Sequence, residues 1–234
     1  IKLQPTPTEL RTLLPLCNGT AETGIGPYTY PLAETITGYT HVVDKVIKVF
    51  TYASMFVNKY TIKGSQGNEA ISFELDLLGT TETEGAAGSF ASTAIDVATK
   101  PWYFGQAALT IGGSTFSMKD FEISVDNNID ADRFFNSQTL STGTNAQDRK
   151  IDFKCTLPYG DAAAVYLTHS AAAGVAVVVT LTNGVYILTL SLVKVPLKHA
   201  GAEINGRGEL MLKAEGMAMK SAATLELVTT LAIA

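Results

Sequence analysis

The sequence predicts a mainly β protein: two packed antiparallel sheets or a partly closed β-barrel, flanked by one α-helix, with an extended N-terminal arm and long loops. Three observations predict it. Phe121, Ile123 and Val125 alternate with Glu122, Ser124 and Asp126, and Ile151, Phe153 and Cys155 alternate with Asp152, Lys154 and Thr156. A period of two gives each run one apolar and one wet face. Asn183-Gly184 divides two runs rich in Val, Leu and Ile, a strong hairpin signal that suits a type I′ turn. From Thr40 to Gly79, Val, Ile, Tyr, Phe and Thr dominate, as a pleated surface prefers.

Residues 1–38 hold Pro5, Pro7, Pro15, Pro27 and Pro31 with Gly19, Gly24 and Gly26. Proline removes backbone donors and glycine loosens the chain, so this segment reads as an extended arm with one short helix over Thr8 to Leu16. It is either a loose terminus or an arm laid across a neighbouring subunit. Residues 39–234 then form the β domain. Strands are expected at His41 to Tyr52, Phe56 to Lys63 and Ala70 to Leu78, the last two joined by the turn Gly64 to Asn68. Thr80 to Thr99, mostly Gly, Ala, Ser and Thr, reads as a polar loop, and Trp102 to Ile111 as a strand closed by Gly112-Gly113.

The Asn/Ser/Thr/Gly-rich stretch 136–147 reads as a long insertion between strands. Asp161 to Ala173 is the expected helix, with Asp161 as N-cap and Gly174 at the left-handed C-cap position. The hairpin Val175 to Val193 follows, then strands at Glu209 to Glu215 and Thr224 to Ile233. Ile71, Phe73, Leu77 and Gly79 are echoed by Ile151, Phe153, Leu157 and Gly160. The echo is either an internal duplication, approximately 39–112 and 113–234, or the ordinary likeness of two sandwich strands.

Composition excludes several classes. A net charge of -5 and a pI near 5.2 argue against a protein that grips nucleic acid, which needs clustered Lys and Arg. The chain is 46% hydrophobic with mean hydropathy +0.18 and only 17% charged, a surface suited to being covered by partners. The most apolar segment, Gly174 to Val195, is broken by Thr180, Thr182, Asn183 and Gly184, so no membrane anchor is expected. The amino terminus shows no secretory signal, which leaves the sequon at Asn18-Gly19-Thr20 without meaning.

Cys17 and Cys155 read as free thiols, with Cys155 in the core. His41, His169 and His199 have no partner at metal or triad spacing, and no nucleophile elbow, phosphate loop or HExxH is present. Asp126, Asp130 and Asp132 lack the Gly and Glu spacing of a calcium loop. No catalytic, cofactor or metal site is expected.

One stretch carries a resemblance. An acidic strand ends in Asp126-Asn127-Asn128, a return strand is led by Arg149, and Leu157-Pro158-Tyr159-Gly160-Asp161 closes it. Asn183-Gly184 and Gly206-Arg207-Gly208-Glu209 follow. In order and spacing the chain resembles the major tail tube proteins of long-tailed bacteriophages, closely over the last half and loosely over the first. The resemblance implies a structural protein of the virion tail, assembled in the bacterial host cytoplasm. Its subunits would close into rings, hexameric or, with an internal duplication, trimeric. Rings would stack around a tape-measure protein between tail-end proteins, and DNA would pass without specific binding.

Acidic runs fit that reading. No Lys or Arg lies between Lys63 and Lys100 or between Lys119 and Arg133. Such faces either keep the protein soluble or line a bore that repels phosphate. Glu74, Asp76, Glu122 and Asp126 are the candidate lumen residues. Pro5, Pro7 and Leu10 of the arm, Glu82, Glu84 and Phe90 of one loop, and Thr142 and Asn145 of the other are the candidate inter-subunit contacts. Two other classes stay open: a secretion-system tube protein, and a β-sandwich binding module for carbohydrate or a surface partner. A binding module needs aromatics exposed on one sheet face, whereas Trp102, Tyr103 and Phe104 share a strand that reads as core.

Overall fold

Alternating side chains need two sheets to bury their apolar faces against each other, and the structure supplies them. This computed structural model describes residues 1–67, 69–79, 81–88, 99–130, 148–159, 174–199, 210–220 and 226–232. In chain order the elements are β1 (Lys2–Leu3), α1 (Pro7–Asn18), β2 (Tyr28–Tyr30), β3 (Tyr39–Asp44), β4 (Lys48–Ser65), β5 (Ser72–Leu78) and β6 (Thr81–Ala86). After a 3-10 turn at Phe104–Gln106 come β7 (Ala107–Ile111), β8 (Ser114–Phe116), β9 (Asp120–Asp126) and β10 (Lys150–Pro158). The last five are β11 (Val175–Asn183), β12 (Tyr186–Val195), β13 (Leu197–His199), β14 (Met211–Met217) and β15 (Leu227–Ala232).

One sheet of nine strands runs β1-β5-β4-β9-β10-β14-β13, with β3 and β6 added along β4. The other, of six strands, runs β2-β15-β12-β11-β7-β8. Neither closes on itself among the described residues, so the architecture is the sandwich and not the barrel. Between the sheets, Phe73, Ile62, Ile123 and Phe153 share one row across β5, β4, β9 and β10. With Val177, Val179, Leu181, Leu188, Leu190 and Leu192 of the facing sheet they belong to one buried core. Burying each such side chain contributes about 1.5–3 kcal/mol.

That row also fixes the geometry of the internal echo. The echoed hairpins β4-β5 and β9-β10 lie in the order β5-β4-β9-β10 with β4 antiparallel to β9. A local two-fold axis relates such hairpins; a head-to-tail repeat would preserve the strand order.

Several elements differ from expectation. The strand expected over His41 to Tyr52 is split by a turn at Lys45 to Ile47, where Asp44 Oδ1 accepts from Val46 N at 2.8 Å. Such an aspartate turn needs no Gly or Pro to announce it. The break expected before Phe56 is reduced to a local irregularity at Ser54, φ +51°, through which β4 stays paired as one strand of 18 residues. Thr81–Ala86, expected as loop, pairs with β4 because its Thr-Glu alternation can lie along an open edge. Phe104 begins a 3-10 turn instead of continuing a strand, Tyr103 before it is extended and bridges to Ala70, and Trp102 is buried as expected. In the hairpin, Asn183 pairs with Tyr186, so the loop is Gly184-Val185. Gly184 takes φ +60° while Val185 stays out of the left-handed region, the pattern of a type II′ turn and not type I′. The expected helix over 161–173, the insertion 136–147 and the Gly206 to Glu209 motif lie outside the described residues.

The N-terminal segment is stitched into both sheets of its own chain. β1 pairs with β5 and β2 with β15. Between them α1 starts at Thr6, whose hydroxyl accepts from Glu9 N at 3.3 Å while Thr6 N donates to Glu9 Oε2 at 2.8 Å, a capping box. It ends at Gly19 in the left-handed region, and buries Leu10, Leu14 and Cys17. Both sheets have short edge strands: two residues in β1 and three each in β2, β8 and β13.

A buried polar knot ties helix to sheet. The fully buried Asn127 donates from Nδ2 to Cys17 O at 3.2 Å and Val57 O at 2.9 Å, and its Oδ1 accepts from Arg149 Nε at 2.8 Å. Arg149 also donates to Ala33 O. Alongside, Asn18 donates to Tyr30 O at 2.9 Å and accepts from the Tyr60 hydroxyl at 2.8 Å. Burial pushes the Tyr60 phenol above its ordinary range, so it remains a donor. Removing one partner from such a knot strands the others without water, at about 1–3 kcal/mol per group. Asn127→Ala is therefore expected to lose about 2–3 kcal/mol in chemical denaturation, while Asp152→Asn, on an exposed carboxylate with no ion pair among the described residues, should stay within about 0.5 kcal/mol of wild type.

Candidate functional site

The first candidate surface is a tongue. The N-terminal part of β4 has β3 on one edge and β6 on the other, both paired through Val49 to Tyr52. Among the described residues of β3, β6 and Lys48 to Ala53 of β4, Tyr39 alone packs on the main core. At its tip Val46 is 86% and Ile47 79% exposed, and Val46 sits at φ +69°. A β-branched residue held there is strained, and the two aliphatic side chains gain little burial at the tip. Around them Lys45 lies over the Phe50 ring at 4.5 Å and Lys48 pairs with Glu84.

The second is the outer face of the nine-stranded sheet, which brings all four candidate lumen carboxylates together. They do not form an acidic wall. Register places Lys63, Glu122, Lys154, Glu215 and Lys198 in one transverse line across β4, β9, β10, β14 and β13. A second line holds Asp76, Lys59, Asp126 and Lys150 across β5, β4, β9 and β10. Glu74 lies 2.7 Å from Lys63 and 4.0 Å from Lys2, and Glu122 lies 3.7 Å from Lys154. The hydrogen bond from Lys63 holds the Glu74 carboxyl below the usual carboxylate range. Sign alternates across the strands, so the field of this face falls off faster than that of a single-sign patch.

The outer face of the six-stranded sheet is different in kind. Ala108, Thr180, Thr189, Thr230 and Thr29 form one line, and Thr115, Thr110, Val178, Ser191 and Val228 another. These lines carry no charge. The molecule therefore presents one ion-paired face and one hydroxyl-and-methyl face on opposite sides of a single core.

The expected contact residues are divided by the structure. Pro5, Pro7 and Leu10 are buried within their own chain, so their packing surface is used by α1 and the sheet beneath it. Glu82 and Glu84 are exposed on β6 of the tongue. Phe90, Thr142 and Asn145 lie outside the described residues, as does His169. Asp126 holds a turn, accepting from Asn128 N at 2.9 Å. Among the described residues no group of three His, Cys, Asp or Glu could hold a metal ion, and no helix is long and apolar enough to cross a membrane. The tongue tip was missed in the sequence; its one signal is Val46-Ile47 set between Asp44-Lys45 and Lys48.

The described residues thus form two packed sheets with an apolar-tipped projection. The family model described as phage tail tube protein matches residues 3–218. The chain belongs to the phage tail tube protein family. No curated protein matches it significantly. Membership implies a structural protein of the virion tail that self-assembles into a tube. Phage tail tube proteins act by surfaces, and both cysteines of this one are withdrawn from the surface. Cys17 and Cys155 are buried, and burial raises both thiols, Cys155 to about 12. A chromogenic disulfide reagent at pH 8 should leave native protein unlabelled and modify both thiols after denaturation; fast labelling of the native chain would contradict this packing.

Proposed function

We propose that the protein polymerises into stacked rings that form the hollow phage tail tube, through which genome DNA passes during ejection. The observation that carries the reading is the tongue: Val46 and Ile47 are exposed at its tip, and in stacked rings a neighbouring copy covers them. The rings assemble around a tape-measure protein in the host cytoplasm and end against tail-end proteins. Six subunits per ring fit the fold better than three. A trimer requires each chain to hold two ring repeats, and the echoed hairpins are related by a local two-fold instead.

The ion-paired face suits the bore. Counterion release drives DNA binding through clustered lysines without acids beside them, and here Lys59 stands in register beside Asp76 and Asp126, Lys150 beside Asp126, and Lys63 and Lys154 beside Glu122, while Glu74 lies 2.7 Å from Lys63. Such a wall holds little net charge for the polymer to grip. The binding-module alternative loses its platform: among the described residues the exposed large apolar side chains are aliphatic or Met, apart from Tyr159.

Electron microscopy of the purified chain at rising concentration tests the reading. Hollow rings and stacks with six-fold class averages are expected, and monomers at every concentration would refute it. The double variant Val46→Asp, Ile47→Asp should keep wild-type circular dichroism and melting yet fail to stack; normal tubes from it would remove the tongue from the contact.

A further inference from the structure

We infer that the tongue turns as one unit about a joint at its root, where Gly38 before β3, Ser54 of β4 and Gly79 after β5 lie at one level. The inference goes beyond the tube reading, because it concerns the single chain. β3 and β6 pair with β4 alone, so among the described strands β4 is the one that carries the tongue into the sandwich. All three strands are interrupted at the joint. On β4, Ser54 takes φ +51°, a left-handed conformation that a residue with a Cβ adopts at a cost. On one side the register with β3 shifts between Tyr39 and His41. On the other, β6 stays paired with β4 as far as Ala53 with Thr81, and β5 takes over at Phe56 with Leu78. Ser54 and Met55 therefore lie between two ladders on that side. Hinges form where a few residues at the ends of elements absorb the change in backbone angle.

The flanking backbone is bare where β4 needs room. A Cβ on Gly79 would lie 2.3 Å from Met55 Sδ, and a Cβ on Gly38 would lie 3.0 Å from the Phe56 ring. Glycine at both places lets these two large side chains lie against the neighbouring backbone. Phe56 belongs with Ile36 and Ile129 to a small buried cluster separate from the main core, with Leu78 packed on it. That cluster is the seat of the joint. Apolar contact is non-directional, so a turn at this level repacks the small cluster and leaves the main core closed, with Tyr39 as the tether between them. Beyond the joint, Val49 to Tyr52 are paired on both edges, and the tongue moves as a block. The device gives the exposed tip, Val46 and Ile47, a range of directions from a fixed sandwich.

Pulsed electron spin resonance on the full chain, kept dilute enough to stay unassembled, tests it. Cys17 and Cys155 are buried and stay unlabelled, so spin labels go on introduced cysteines. Ile47→Cys with Asp152→Cys reads the tip against the sandwich, and Ile47→Cys with Thr81→Cys reads the tip against the base of the tongue; all three positions are exposed. The tip-to-sandwich distance distribution is expected to be about twofold broader than the tip-to-base one, or more. Ser54→Gly, which removes the Cβ at the left-handed position, should broaden the first distribution further and leave the second unchanged. Two narrow distributions would overturn the joint by showing a fixed tongue, and two broad ones by showing a tongue that bends along its length. A first distribution unmoved by Ser54→Gly would remove Ser54 as the pivot. Circular dichroism and melting identify any variant that misfolds, and the two labelled pairs with Ser54 intact decide between a joint and a fixed tongue by themselves. A chain that never forms tubes would refute the tube reading and leave this result as it stands.

Discussion

The sandwich depends on how one buried amide is satisfied. Asn127 sits at the end of β9 with no exposed surface, and its side chain is bonded to the last turn of α1, to β4 and to the arginine that opens β10. Water cannot replace any of these partners, so the four segments are placed together or not at all. Asn18 repeats the device one step away, joining the helix end to β2 and β4 through Tyr30 O and the Tyr60 hydroxyl. The apolar core supplies most of the stability and opposes a one-residue slip of any strand, but it does not by itself direct how the helix end meets the strands. These amides pin helix and strands in a single register.

Once register is set, the surface follows. Lys59 finds Asp76 on one side and Asp126 on the other because β4 lies between β5 and β9 in that alignment and no other. A slip by one residue would invert the faces of a strand, placing these charges in the core. The interior amides and the exterior charges are thus two consequences of the same alignment, and the charge-bearing face is as well defined as the core beneath it.

Much of the architecture was legible in the sequence. Alternation at Phe121 to Val125 and Ile151 to Cys155 identified β9 and β10 as a pair, and the structure aligns Ile123 with Phe153. The hairpin at Asn183 was legible to within one residue. Its loop moved because Gly184 alone carries the positive φ, which leaves Asn183 free to pair. The capping box of Thr6 and Glu9 was present but hidden among prolines that suggested an extended chain. The candidate site was legible only in part. Reading along a strand reveals the sign of its wet face, and Glu74, Asp76, Glu122 and Asp126 were found that way. It does not reveal which strand lies beside it, so the neutralising lysines were invisible until pairing was known. The tongue tip was harder still, because a valine in a left-handed turn contradicts local propensity.

β4 has one further consequence, mechanical in nature. It is continuous from Lys48 beside the tongue tip to Ser65 in the sandwich, about 60 Å at about 3.3 Å per residue. Ladder hydrogen bonds in antiparallel sheets run perpendicular to the strands. Tension applied at the tip along β4 therefore loads its bonds to β5 and β9 together, in shear, with no single bond peeled first. Transverse force meets a different response: Ser54, at φ +51°, interrupts the extended backbone between tongue and sandwich. The same strand is a tie lengthwise, and Ser54 is the place along it where the extended backbone is broken.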